Sequence, residues 1–311
     1  MSEIGSGAGP GALPNLVIVG VQKCGTSALH YYLDLHPEVQ MSSPKELAFF
    51  LDQSELEPGP YVSDPRDLEL LKGERNWGRG VDWYRSHFRP EVAVRGEATP
   101  GYASPWFPKV PEHMAQVVPE ARLIYIVREP IERLLSHYLH MRAMGREKRP
   151  LEEAVGAAEN VYVGRSLYFT MLQPFRERFE DERILLLRQD ELLRERRRTM
   201  RRVFEFLGVE PGFWSERMER ERNTTGTKGR RYTAMDRLAR TRLARPLYRL
   251  PQEAKWVAER LARGRRHEPG PALAPGTEAR IRERLEPELA AMEELTGWDL
   301  SAWRGGRRAL P

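Results

Sequence analysis

The chain of 311 residues contains one cysteine, Cys24. A single thiol excludes an internal disulfide framework and any zinc or iron–sulfur site built from several thiolates. No stretch approaches the roughly 18–20 apolar residues that cross a bilayer. Residues 1–14 are rich in Gly and Pro and lack the basic flank and apolar core of a secretory signal. They read as a flexible leader, followed by one domain over 15–305 of a protein kept in the cytoplasm. A real charge excess is also missing: 50 Lys/Arg stand against 45 Asp/Glu, a net +5. That is too thin to support a nucleic-acid partner on its own, although the pI is near 9.3. Apolar residues are not scarce. At 40% hydrophobic and 31% charged, the chain can bury a core and is not disordered by composition.

Leu16-Val17-Ile18-Val19-Gly20-Val21 is a continuous apolar run rich in β-branched residues, as in a strand buried on both faces of a parallel sheet. A polar loop follows, and 28–35 has helical spacing. Leu123-Ile124-Tyr125-Ile126-Val127 repeats the pattern, with Arg128-Glu129-Pro130 as the turn and a helix over 131–144. Pro130 suits the first turn, where its missing N–H is not needed. A third strand is predicted at 184–187, then a charged helix from about 190 to 207. Strands alternating with helices predict an α/β fold with a central, mostly parallel sheet. Residues 51–97 read as an insertion of loops and short helices, and 232–275 as a second one or a lid, both on the acceptor side. The basic character is local: 216–268 holds 16 Lys/Arg against 7 Asp/Glu, so the rest of the chain is net acidic.

Gly20-Val21-Gln22-Lys23-Cys24-Gly25-Thr26-Ser27 joins a buried strand to a helix start, a junction whose unsatisfied N–H groups and dipole attract anions. Lys23 adds a cation; Thr26 and Ser27 add hydroxyls. A nucleoside-triphosphate loop would place lysine directly after the second glycine, whereas here Thr26 follows Gly25. The second strand ends in Arg128, where a metal-dependent ATPase would place an Asp. Both departures favour direct cationic contacts over a metal-bound triphosphate.

With its surroundings, this pattern resembles the sulfotransferases that use 3′-phosphoadenosine 5′-phosphosulfate (PAPS), nearest to the heparan-sulfate and related carbohydrate branch. Residues 13–29 resemble that family's 5′-phosphosulfate loop. Residues 122–136 resemble its 3′-phosphate motif, an Arg at a strand end with a Ser eight residues later. The likeness continues through Lys45-Glu46-Leu47-Ala48-Phe49-Phe50, Gly96-Glu97-Ala98-Thr99-Pro100-Gly101-Tyr102, Gly164-Arg165-Ser166-Leu167-Tyr168, Thr227-Lys228-Gly229-Arg230 and Leu295-Thr296-Gly297-Trp298-Asp299. It implies a P-loop-NTPase-like sulfotransferase fold, PAPS as donor, adenosine 3′,5′-bisphosphate (PAP) as product and no metal.

By resemblance, Lys23, Gly25, Thr26 and Ser27 hold the 5′-phosphosulfate, with Lys23 beside the bridging oxygen. Arg128 and Ser136 hold the 3′-phosphate, Lys228, Gly229 and Arg230 close over it, and Tyr168 helps position the nucleotide. Glu46 is the general base, with Phe49 and Phe50 expected to desolvate it, and His140 is a second acid–base candidate. Cys24 reads as a small tolerated residue, because sulfuryl transfer in this family is direct. Lys45 and Glu97 are candidate contacts for acceptor or base. Heparan 3-O-sulfotransferases carry a lysine where this chain has Ala98, which argues against a highly sulfated glycan. Trp77, Trp83 and Trp106 suit either stacking on a sugar or lipid, or core packing.

Animal members of this branch usually carry a Golgi membrane anchor. None is visible here, and the Arg, Ala, Gly and Pro content fits a GC-rich bacterial gene. The acceptor is therefore expected to be a small molecule or glycan, as a hydroxyl of a carbohydrate, glycolipid or secondary metabolite, less readily an amine. An acidic or carrier-bound acceptor would suit the basic segment. Two other readings remain open: an ATP-dependent small-molecule kinase on the same core, and a basic nucleic-acid-binding protein.

Overall fold

The computed structural model describes residues 11–52, 54, 61–62, 64–71, 73–157, 159–219 and 271–305. Lys228, Gly229, Arg230 and most of 232–275 lie outside them. Ala12 already donates its N–H to the Phe88 carbonyl at 3.2 Å, so packing begins within the first fourteen residues.

The elements in chain order are β1 (Leu16–Gly20), α1 (Thr26–Leu33), β2 (Val39–Met41), α2 (Pro65–Leu71), a 3-10 turn and α3 (Gly80–Arg85), β3 (Val94–Ala98), α4 (Val110–Val117) and β4 (Arg122–Val127). There follow α5 (Pro130–Ala143), α6 (Leu151–Ala154), α7 (Val161–Gly164), α8 (Tyr168–Arg176), β5 (Ile184–Arg188), α9 (Gln189–Arg194) and α10 (Arg196–Leu207). Past the undescribed stretch come α11 (Pro275–Thr296) and α12 (Ser301–Arg304). The five strands form one parallel sheet in the order β2-β3-β1-β4-β5. The fold is thus the expected one, a parallel sheet flanked by helices, and the three apolar runs became β1, β4 and β5.

Two strands escaped the sequence reading, and β3 corrects it, because its first residues fall inside the anticipated 51–97 insertion. β2 is only three residues long, too short to show a period. β3 reads Val-Arg-Gly-Glu-Ala, a loop-like composition, yet it lies beside β1 in the middle of the sheet. Gly96 is required there: a Cβ would meet Met41 Sδ at 2.8 Å and Leu16 Cδ2 at 3.0 Å. The single helix expected over 190–207 is two helices that break at Glu195.

The topology selects where a ligand can sit. The chain leaves β1 toward β2 on one side and later returns to β4 on the other. Such a reversal of strand order leaves a crevice at the carboxyl ends of the strands. The loop after β1 and the turn after β4 open into it side by side, tied by the Val21 N–H donating to the Ile126 carbonyl at 2.8 Å.

Candidate active site

The loop after β1 is shaped for an anion. Gly25 is the N-cap of α1 with φ of 100°, and no side chain caps the helix. That left-handed conformation suits glycine, and a Cβ would press on Gln189 Cγ at 3.3 Å. The uncapped first turn leaves N–H groups aimed at the crevice. Lys23 also has a positive φ, 74°, a conformation worth a look in a non-glycine residue. Thr26 is buried and Ser27 exposed at the loop's rim.

Cys24 lies beneath the loop, fully buried. Burial pushes its thiol up to about 11 despite the neighbouring charges of Arg133, Arg128 and Lys23. The thiol is therefore protonated at neutral pH and unsuited to nucleophilic attack.

Arg128 follows the last residue of β4. Its guanidinium bonds Glu132 one helical turn on, at 2.8 and 3.1 Å. The Arg128 side chain is 16% exposed and that of Glu132 45%, so the pair lies half in the surface. The Arg128 carbonyl accepts from the Tyr168 hydroxyl at 2.7 Å, so Tyr168 braces the turn that carries Arg128.

Helix α5 supplies the floor. Pro130 opens it, and the N-cap Glu129 accepts from the Glu132 N–H. Arg133, Ser136, His137 and His140 share one face of α5 by their i, i+3, i+4 and i+7 spacing. The first three are buried and His140 is half-buried. Burial, together with Arg133, Arg165, His140 and Lys23, holds His137 well below the ordinary histidine value, so His137 is neutral. Arg133 and His137 were not singled out from the sequence, although a polar stripe on a helix between two apolar strands was a signal for them. Arg165 stood inside a quoted motif without a role.

Glu46 lies on the loop after β2. Its side chain is 56% exposed and accepts from Lys45 Nζ at 2.9 Å. Phe49 and Phe50 do not surround it. Both rings turn inward, Phe49 stacking on Tyr84 at 4.2 Å and Phe50 packing edge-on against Tyr102. Glu46 and Arg165 are close enough for the carboxylate to favour the guanidinium's charge, which links this loop to the cationic floor.

Glu97 contacts no solvent. Its carboxylate accepts from the hydroxyls of Tyr84, Tyr102 and Thr99, each at 2.7 Å, and from the Leu47 N–H. Thr99 Oγ1 in turn accepts from the Ala48 N–H at 3.1 Å, and Asn76 bonds the carbonyls of Leu47 and Ala48. These contacts hold Ala48 at a φ of 49° and fix the turn just after Glu46. Glu97 therefore positions the Glu46 loop from beneath. Trp106 is also core, Trp77 stacks on His113 at 3.9 Å, and Trp83 faces Arg79.

Removing Glu97 strands buried donors, at about 1–3 kcal/mol for each. Glu97→Ala is expected to lower Tm by several degrees in a thermal melt and to reduce activity with it. The pH dependence carries a sign. Burial raises the Glu97 carboxyl against the pull of its hydroxyl partners, so the native state holds the proton more tightly than the unfolded chain. The linked stability is present below about pH 4.3 and fades as pH rises through the native value. Tm measured against pH should lose that component in Glu97→Gln.

The model of the Sulfotransferase family matches residues 14–216, more than half of the chain. The chain belongs to the sulfotransferase family. It is 27% identical over 257 residues to the human bifunctional heparan sulfate N-deacetylase/N-sulfotransferase 2, covering 72% of this chain and 27% of that protein. It is 28% identical over 129 residues to a membrane-associated sulfotransferase of Dictyostelium discoideum, covering 40% of this chain and 22% of the relative. The chain thus matches about a quarter of the length of these two sulfotransferases. Among solved structures, a sulfotransferase from Alicyclobacillus acidocaldarius superposes with a TM-score of 0.66 at 22% identity, over 94% of this chain and 100% of that one. That likeness shows the shared sulfotransferase fold. Among the described residues no helix is long and apolar enough to cross a membrane.

Proposed function

We propose that this sulfotransferase moves a sulfuryl group from PAPS to an acceptor hydroxyl by in-line displacement. The observation that carries the reading is an uncapped helix start at Gly25 beside Lys23, with Arg128 at the neighbouring strand end and the charges of Lys23, Arg128 and Arg133 all felt at Cys24 in the same loop. Such a site demands a polyanion.

The N–H groups at Gly25 and the hydroxyls of Thr26 and Ser27 would hold the 5′-phosphosulfate, and Arg128 with Ser136 the 3′-phosphate. Lys228, Gly229 and Arg230 would cover that phosphate from outside the described residues. Glu46 takes the acceptor's proton as its oxygen attacks sulfur. The bond from sulfur to the bridging oxygen breaks, and PAP leaves with its new negative charge beside Lys23. A cation already in place there favours the transition state over the ground state. His140, half-buried on α5, is the reserve acid or base.

The acceptor we favour is a hydroxyl of a carbohydrate, glycolipid or secondary metabolite, met in the cytoplasm. An amine is the second reading, favoured by the relative named as an N-sulfotransferase. Incubation with sulfur-labelled PAPS and panels of hydroxyl and amine acceptors tests both. Label transferred to hydroxyls supports the first reading, label on amines alone supports the second, and no transfer with PAPS left intact contradicts both.

A further inference from the structure

Among the described residues three arginines are nine-tenths or more buried, and they are treated in opposite ways. Arg149 is met by three carboxylates: Asp64 at 2.9 Å, Glu147 at 2.7 Å and Asp67 at 2.5 Å. Those partners raise its guanidinium above the ordinary arginine value. Arg133 is 0% exposed and Arg165 6%, and among the described residues no carboxylate pairs with either. Arg133 uses Nε on Ser166 Oγ at 2.7 Å and a second nitrogen on the Tyr162 carbonyl. Its Nη1 has no partner, and neither do Nε and Nη1 of Arg165. Arg165 lies over the Trp106 ring, 5.2 Å from its centre, and the Trp106 Nε1–H is unpartnered as well.

All four of these unsatisfied atoms are donors. Buried donors left unpaired are costly, and a buried charge far more so. Unpaired N–H donors on buried cations are complementary to a group that accepts and carries negative charge, which is an oxyanion. Burial and Arg133 bring Arg165 down to about 9, the reverse of what the paired Arg149 shows. The Glu46 carboxylate favours the charged form of Arg165, so the two groups act on one another. Gly164 allows the arrangement, since a Cβ there would meet Trp106 Cζ2 at 2.9 Å.

We propose that Arg165, resting on Trp106 and backed by Arg133, forms a recessed oxyanion subsite next to Glu46. It takes the sulfuryl oxygens of the donor or an acid group carried by the acceptor. The inference rests on the sulfotransferase reading above and restores a cation on the acceptor side, where Ala98 provides none.

The test uses the full chain and three probes: PAP, PAPS and inorganic sulfate added to PAP-saturated protein. Binding is measured by calorimetry for wild type, Arg165→Gln and Arg165→Lys, with chloride at matched ionic strength as control. If the sulfuryl group is the occupant, Arg165→Gln weakens PAPS by at least about tenfold while PAP stays within about twofold. If an acceptor acid is the occupant, PAP and PAPS hold and the sulfate site disappears. Arg165→Lys should restore part of either loss. All three affinities unchanged in Arg165→Gln would overturn the proposal, as would a uniform loss accompanied by a fall in Tm. Should that variant not fold, wild type decides: PAP-loaded protein that binds no sulfate, and prefers PAPS to PAP by less than about twofold, overturns it. Absence of PAP binding to wild type would instead defeat the donor assignment, and is read separately.

Discussion

Glu46→Gln is expected to bind PAP within about twofold of wild type and to lose roughly 10²–10⁴-fold in sulfuryl transfer, the range a positioned general base supplies. Glutamine keeps the shape and cannot take a proton. The loop that presents Glu46 is fixed by groups other than its own carboxylate: the Glu97 network beneath, and Asn76 on the Leu47 and Ala48 carbonyls. The substitution should therefore leave the loop standing. The Glu46 carboxylate is more than half exposed and held by Lys45. The apolar surroundings that sharpen a base would then come from the bound acceptor, since Phe49 and Phe50 are committed to the core. Unimpaired turnover would move the proton-accepting role to His140.

Lys23 offers a cleaner separation of stability from function. Its φ of 74° lies where glycine is comfortable and lysine is strained by about 1 kcal/mol or more. Lys23→Gly keeps the loop path and relieves that strain, so its Tm should equal or exceed that of wild type. The same variant removes the cation beside the leaving oxygen, and transfer should fall about 10²–10³-fold, as when one preplaced charge-stabilising donor is deleted. Lys23→Ala should lose similar activity without the gain in stability. A Lys23→Gly protein that is stable and fully active would contradict the assignment.

How much of this was legible in the sequence follows from physical scale. β1, β4 and β5 were readable because each carries an unbroken apolar run, packed on both faces in β1 and β4 and buried on alternate residues in the edge strand β5. β3 was not, because its Arg95, Gly96 and Glu97 look like loop residues. What makes Glu97 a strand residue is a trio of hydroxyls from 84, 99 and 102 that converge only in the fold. Lys23, Gly25 and Arg128 announced themselves by standing at strand ends. Arg133 and Arg165 did not, since an arginine reads as solvated until its burial and its missing partners are known. Their importance is a difference between them and Arg149, and that difference exists only in three dimensions.

The central claim is that this cationic crevice holds a 3′-phosphorylated nucleotide donor directly through protein groups. Titration of the purified chain with PAP, PAPS and ATP, each with Mg²⁺ and with a chelator, tests it most directly. The account predicts micromolar PAP and PAPS binding that is unaffected by chelation and is lost in Arg128→Ala. ATP bound more tightly than PAP, and only with Mg²⁺, would contradict it.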